Sequence, residues 1–64
     1  MDRATQIRAL ESRAMAYEEA ARASYDAALA ELFRRNIRDL RGEVVRLKSD
    51  PDYQLPEKLL AELG

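Results

Sequence analysis

Between Arg3 and Lys48 the chain carries no proline and a single glycine, Gly42. The run is dominated by Ala, Leu, Arg and Glu, which lose least on entering a helix. The composition predicts an all-α fold built on a long amphipathic helix over about residues 3–48. Charge spacing agrees: Glu18, Arg22 and Asp26, then Glu31, Arg35 and Asp39, form i, i+4, i+8 ladders that only a helix brings together. Apolar residues recur at Ile7, Leu10, Ala14, Tyr17 and Ala21, continue through Tyr25, Ala28 and Leu32, and resume at Phe33, Ile37, Leu40, Val44 and Leu47. Alternating three- and four-residue steps of this kind are a/d seams, as in coiled coils and helical bundles.

The two seams differ in phase, because Leu32 and Phe33 are adjacent and both apolar. The stripe therefore rotates around the helix near residues 29–33. A continuous helix over this run would reach ~69 Å at ~1.5 Å per residue, and a rod that long must lie against something. The competing arrangement is a hairpin broken near Asn36 or Gly42, residue types that tolerate left-handed caps. Strong helix formers resume after each, so the continuous helix is the expectation. A firm turn, over about residues 49–55, comes at Ser49-Asp50-Pro51-Asp52, since Asp followed by Pro pre-sets a type I turn. Pro56 and Glu57 then suit a helix N-terminus, and Leu59, Leu60 and Leu63 give a short helix over 56–63 one apolar face. Residues 1–64 read as a single helical module, with Tyr53 and Leu55 fastening the tail to the long helix or to a partner.

Such a chain of 64 residues buries only about 60% of the surface its unfolded form exposes. The usual supports for so small a core are disulfides, metals or other chains. There is no Cys and no His, which excludes thiol and imidazole chemistry, Cys/His zinc sites and haem or iron–sulfur ligation. Partner chains remain. No apolar run has the length of a membrane span or a secretory leader, so a cytoplasmic protein is the expectation.

Formal charge is −1 overall but uneven. Residues 34–48 are basic, between acidic segments on either side. Arg34, Arg38 and Arg41 share a helical face, and with Arg35 they offer a contact for an anion or an acidic partner. Asp39 and Glu43 interrupt this collar, and pairing or solvation is its plainer use. The carboxylates lack the Glu-x-x-His pattern of a di-metal bundle, and Asp50-Pro-Asp52 lacks the rest of a calcium loop. No phosphate-cradling glycine motif is present. Tyr17 and Tyr25 lie near one face and mark a helix contact. The alanine-rich first half allows close helix approach, whereas the denser segment Leu29–Leu47 reads as the anchor.

Leu55-Pro-Glu-Lys-Leu-Leu-Ala-Glu-Leu63 resembles the Pro-led second helix of small alphaproteobacterial anti-sigma factors of the general stress response. Leu40-Arg-Gly-Glu-Val-Val45 resembles their first. The likeness covers under half of the chain, across a longer link and without their polar N-terminal arm, and implies a regulator that occludes a target protein.

The combined expectation is a non-enzymatic interaction or assembly protein burying its seam against copies of itself or a larger protein. Its interface would comprise Leu29, Leu32, Phe33, Ile37, Leu40, Val44 and Leu47, with Leu59, Leu60 and Leu63. No catalytic residue, metal, cofactor, membrane contact or small-molecule substrate is expected. The alternatives are an antitoxin- or anti-sigma-like regulator and a nucleic-acid binder using the basic segment.

Overall fold

The computed structural model describes residues 1–64 and contains three helices: α1 (Arg3–Ala23), α2 (Ala27–Ser49) and α3 (Glu57–Leu63). The continuous helix is thus corrected to a hairpin, and the break falls at Ser24-Tyr25-Asp26 while α2 runs unbroken through Asn36 and Gly42. The physical reason is the kind of break. No residue adopts a positive φ, so the chain does not use the left-handed cap that Asn or Gly would supply. Instead Ser24 (φ −81°, ψ 130°) and Asp26 (φ −93°, ψ 115°) are extended. The Asp26 carboxylate accepts the Ala28 and Leu29 N–H groups at 2.9 and 3.5 Å, a side-chain N-cap. The Ser24 hydroxyl donates to the Asp26 carbonyl at 3.2 Å and fixes the corner. Asp26 therefore opens α2 and is not a rung of a ladder.

The hairpin turns the two seams on each other. Leu10 and Ala14 of α1 and Ile37, Leu40, Val44 and Leu47 of α2 form one buried cluster with Leu55 of the link, flanked by Ile7, Tyr17, Tyr53, Leu59, Leu60 and Leu63. The a/d residues expected to meet another chain meet the other arm of the same chain. The molecule measures 40 × 20 × 17 Å, close to the ~35 Å of a 23-residue helix. No helix is long and apolar enough to cross a membrane.

Beyond α2 the chain turns at Asp50–Tyr53: the Tyr53 N–H donates to the Asp50 carbonyl at 3.1 Å, and the Asp52 N–H to the Asp50 side chain at 3.0 Å. Arg3 secures this corner from the start of α1. Its guanidinium donates to the carbonyls of Leu47 (2.8 Å), Asp50 (3.1 Å), Pro51 (2.8 Å) and Tyr53 (2.9 Å). One planar fork thus satisfies a carbonyl that α2 leaves free at its end and three more along the turn. Arg13 repeats the device on α3, donating to the Glu62 carbonyl at 3.0 Å.

Candidate functional site

Short, seven-residue α3 covers only part of the hairpin. It packs along α1, and beside it a cleft of about 200 Å³ on the groove between α1 and α2 is lined by Arg13 and Tyr17 of α1, Asn36, Asp39, Leu40 and Glu43 of α2, and Leu59 and Glu62 of α3. The same groove continues toward the hairpin corner. A helix repeats its azimuth about every seven residues, so Leu29, Leu32 and Phe33 extend the stripe of Asn36, Asp39 and Leu40. On α1, Ala20 and Ser24 extend the stripe of Arg13 and Tyr17. No element of the chain covers that end. Leu29 is 43% exposed and Leu32 51%, and beside them Tyr25 is fully exposed. Tyr17 and Phe33 are half-buried, with ring centroids 5.8 Å apart and planes tilted by 31°, and form the floor where α3 stops.

Interior and exterior residue types are reversed at this end. The inward position near the corner is Ala30, buried at 5% exposure, while the bulky leucines point out. Of the expected interface, then, Ile37, Leu40, Val44 and Leu47 are consumed inside the hairpin, and Leu59, Leu60 and Leu63 pack half-buried against that core. Leu29 and Leu32, with one side of Phe33, are left facing solvent.

The arginines divide similarly. Arg34, Arg38 and Arg41 line a second cleft with Glu18 and Ile37, while Arg35 lies outside it. Arg34 pairs with Glu31 at 3.1 Å, and Arg41 pairs across the hairpin with Glu18. Arg35 and Arg38 make no ion pair, and no arginine reaches a tail carboxylate. The arginines of this cleft sit roughly 120–180° around α2 from Leu29, on another side of the molecule.

A third cluster latches the tail. The Tyr53 hydroxyl donates to the Glu43 carboxylate. The Arg46 guanidinium lies 5.7 Å from the Tyr53 ring centroid and 3.9 Å from Glu43. The hydrogen bond to Glu43 holds the phenol above its ordinary pKa, burial adds to this, and Arg46 acts in the opposite sense. Arg46 is raised in turn, chiefly by Tyr53. At the start of α1, the hydrogen bonds from Thr5 hold the Asp2 carboxyl below its ordinary range. No group of three or more acidic side chains gathers as a metal site would require.

The sequence reading does not single out Arg3 or Arg13, and it reads Asp26 as a ladder rung where the structure makes it the cap of α2. The Ser-x-Asp step before Ala27 was the available signal for Asp26; nothing local marks the arginines, whose acceptors lie 44 to 50 residues away. Comparisons with protein-family models, with characterised proteins and with solved structures return no match.

Proposed function

We propose that this chain is a non-enzymatic helical interaction module that receives an apolar helix face in the open end of the groove between α1 and α2. The observation that carries the reading is the half-length coverage by α3. One end of the groove is flanked by a third helix of the chain itself; the other presents Leu29, Leu32 and Phe33 with nothing over them. Single exposed leucines are ordinary, whereas apolar residues aligned along a groove between two helices mark a docking surface.

The polar clusters support the same reading. The one hydroxyl–carboxylate pair, Tyr53 with Glu43, raises the phenol pKa, the reverse of what activates a nucleophile. The arginine cleft already contains the carboxylate of Glu18 against Arg41, so it serves to hold the hairpin together and keep its outer side wet more than to track a nucleic-acid backbone. A regulator that occludes a target would use the same open groove.

The test is a photo-crosslinking side chain placed at position 32, compared with the same group at position 45 on another face, in the cells that make the protein. Crosslinks to protein formed at 32 and not at 45 are expected. Equal yields at the two positions, or none at either, would overturn the reading.

A further inference from the structure

Two adjoining clefts of about 280 and 460 Å³ share Glu18, Arg34 and Ile37 in their walls, and no residue of α3 lines either. The geometry points to a single anion site here, whose ligand is a short chain of linked phosphates, free or carried on a nucleotide. It is separate from the docking groove and does not depend on it.

The fold sorts charge that the sequence intermingles. Asp39 and Glu43 interrupt the arginines along the chain, but in three dimensions they line the cleft beside α3, whereas Arg34, Arg38 and Arg41 line the other side of α2. Arg22 joins them from α1. Four guanidinium side chains from two helices thus surround a floor made by Ile37, with Glu18 the one carboxylate in the lining. The whole chain has a net charge of −1, so this concentration does not follow from a basic composition.

The carboxylates at hand leave most of these donors unused. Arg41 is engaged with Glu18 across the hairpin, and Arg34 with Glu31 at 3.1 Å. Arg22 and Arg38 make no ion pair and donate to no protein group. Each brings five N–H donors and no acceptor. Arg34, Arg38 and Arg41 also follow one another at three- and four-residue steps, where like charges destabilise a helix. A bound anion relieves that repulsion. The Arg34–Glu31 pair is exposed on both sides, and such a pair yields readily to a stronger acceptor.

Dimensions select the ligand. Arg34 and Arg38 are about 6 Å apart along α2 at ~1.5 Å per residue, and the strip they form runs into Glu31 at one end and Glu18 at the other. A nucleic-acid strand or an acidic peptide continuing along the hairpin would meet those carboxylates. Two or three linked phosphates end before them. A guanidinium fork takes phosphate oxygens two at a time, so a phosphate chain engages Arg22, Arg34 and Arg38 together, where a lone phosphate engages fewer.

Isothermal titration calorimetry of the purified chain with orthophosphate, pyrophosphate, tripolyphosphate and ATP, at one ionic strength and without divalent cations, tests this. Tripolyphosphate is expected to bind one-to-one with Kd below about 1 mM, at least about tenfold more tightly than orthophosphate. Arg38→Gln and Arg22→Gln should each weaken it at least about fivefold, since each removes a charge-assisted donor. Arg35→Gln removes the same charge from α2 outside the clefts and should stay within about twofold of the parent. All three positions are exposed, and circular dichroism should show parental helicity in each variant. ATP binding as tightly as tripolyphosphate or more so would place the phosphates on a nucleotide, and weaker ATP binding would leave them free. The site is overturned by no saturation up to about 10 mM, by an equal loss in Arg35→Gln, or by tighter binding of an oligonucleotide or a glutamate-rich peptide than of tripolyphosphate.

Discussion

The two ends of the hairpin share a backbone plan and differ in what fills it. At the end where α3 docks, the inward positions are Leu10, Leu40, Val44 and Leu47, closed over by Leu55, and Arg3 ties the corner with four hydrogen bonds. At the other end the buried position is Ala30, the corner is held by one serine and one aspartate, and the leucines face outward. The first end is a small three-helix core; the second is a two-helix layer. A layer of two helices has no inside for bulky residues, so Leu29 and Leu32 can be buried only by something added. The contrast separates the part that keeps the chain folded from the part whose apolar residues are left exposed.

Truncations should expose that division most strongly. Leu10 is the one side chain with no solvent exposure. Leu10→Ala is expected to cost ~3–5 kcal/mol, against a total of roughly 3–10 kcal/mol for a domain of this size. Urea melts followed by circular dichroism should show the variant largely unfolded. Leu32→Ala, measured at the same low concentration, should change stability by under ~0.5 kcal/mol. Comparable losses at the two sites would mean the open end is part of the folding core.

Arg3→Ala comes next, at ~1–3 kcal/mol, chiefly for the part-buried Leu47 and Tyr53 carbonyls it leaves unmet, those of Asp50 and Pro51 being exposed. Amide exchange should accelerate first across residues 47–55. Arg3→Lys should recover less than half, since an ammonium cannot span four acceptors as a planar fork does. At the opposite corner Asp26→Ala should cost ~0.5–2 kcal/mol and Asp26→Asn almost nothing, because Asn caps equally well. If Arg3→Ala proved harmless while Asp26→Ala unfolded the chain, the assignment of the two ends would be reversed.

What sequence reading captured and what it missed divide along a physical line. Helix content, the seam residues and the short tail helix were legible because they rest on local propensity and periodicity, which act within a few turns. The position of the hairpin is not legible from glycine or asparagine, the residues that a left-handed break requires. The chain uses extended backbone with an aspartate cap, and the change of seam phase at Leu32 and Phe33 was the displaced trace of that corner. Among the expected interface residues, Leu29 and Leu32 could not be told from Ile37 and Leu40 by spacing. Which leucines end up outside depends on where α3 stops, a tertiary fact. Arg3 was illegible for the same reason, since its acceptors lie at the other end of the chain.

A smaller effect of opposite sign sharpens the comparison. Gly42 is exposed in the middle of α2, and a methyl group added there would meet nothing within 4 Å. With no close approach and no positive φ to explain it, the glycine only adds freedom to the unfolded chain. Gly42→Ala should stabilise by ~0.5–1 kcal/mol, read as a higher urea midpoint at unchanged slope. A loss instead would show that this face of α2 is covered in solution, and the open surface would have to be redrawn to include it.

The gentlest probe is pH, which reaches the tail latch without mutation. The Tyr53 phenol is held above its ordinary pKa by the hydrogen bond it donates to Glu43. A group whose folded pKa is raised contributes stability that is complete below its unfolded value, near 10 for tyrosine, and lost as pH rises through the folded value. Deprotonation would set a phenolate against the Glu43 carboxylate, with only Arg46 between them. The tail should therefore loosen above about pH 10, and Leu59, Leu60 and Leu63 should lose amide protection before α1 and α2 do. In Tyr53→Phe the latch is already absent, so that alkaline step should vanish while the hairpin melts as before. If the tail stayed protected through the alkaline range, or if the step survived in Tyr53→Phe, α3 would be held by its leucines alone, without help from the latch.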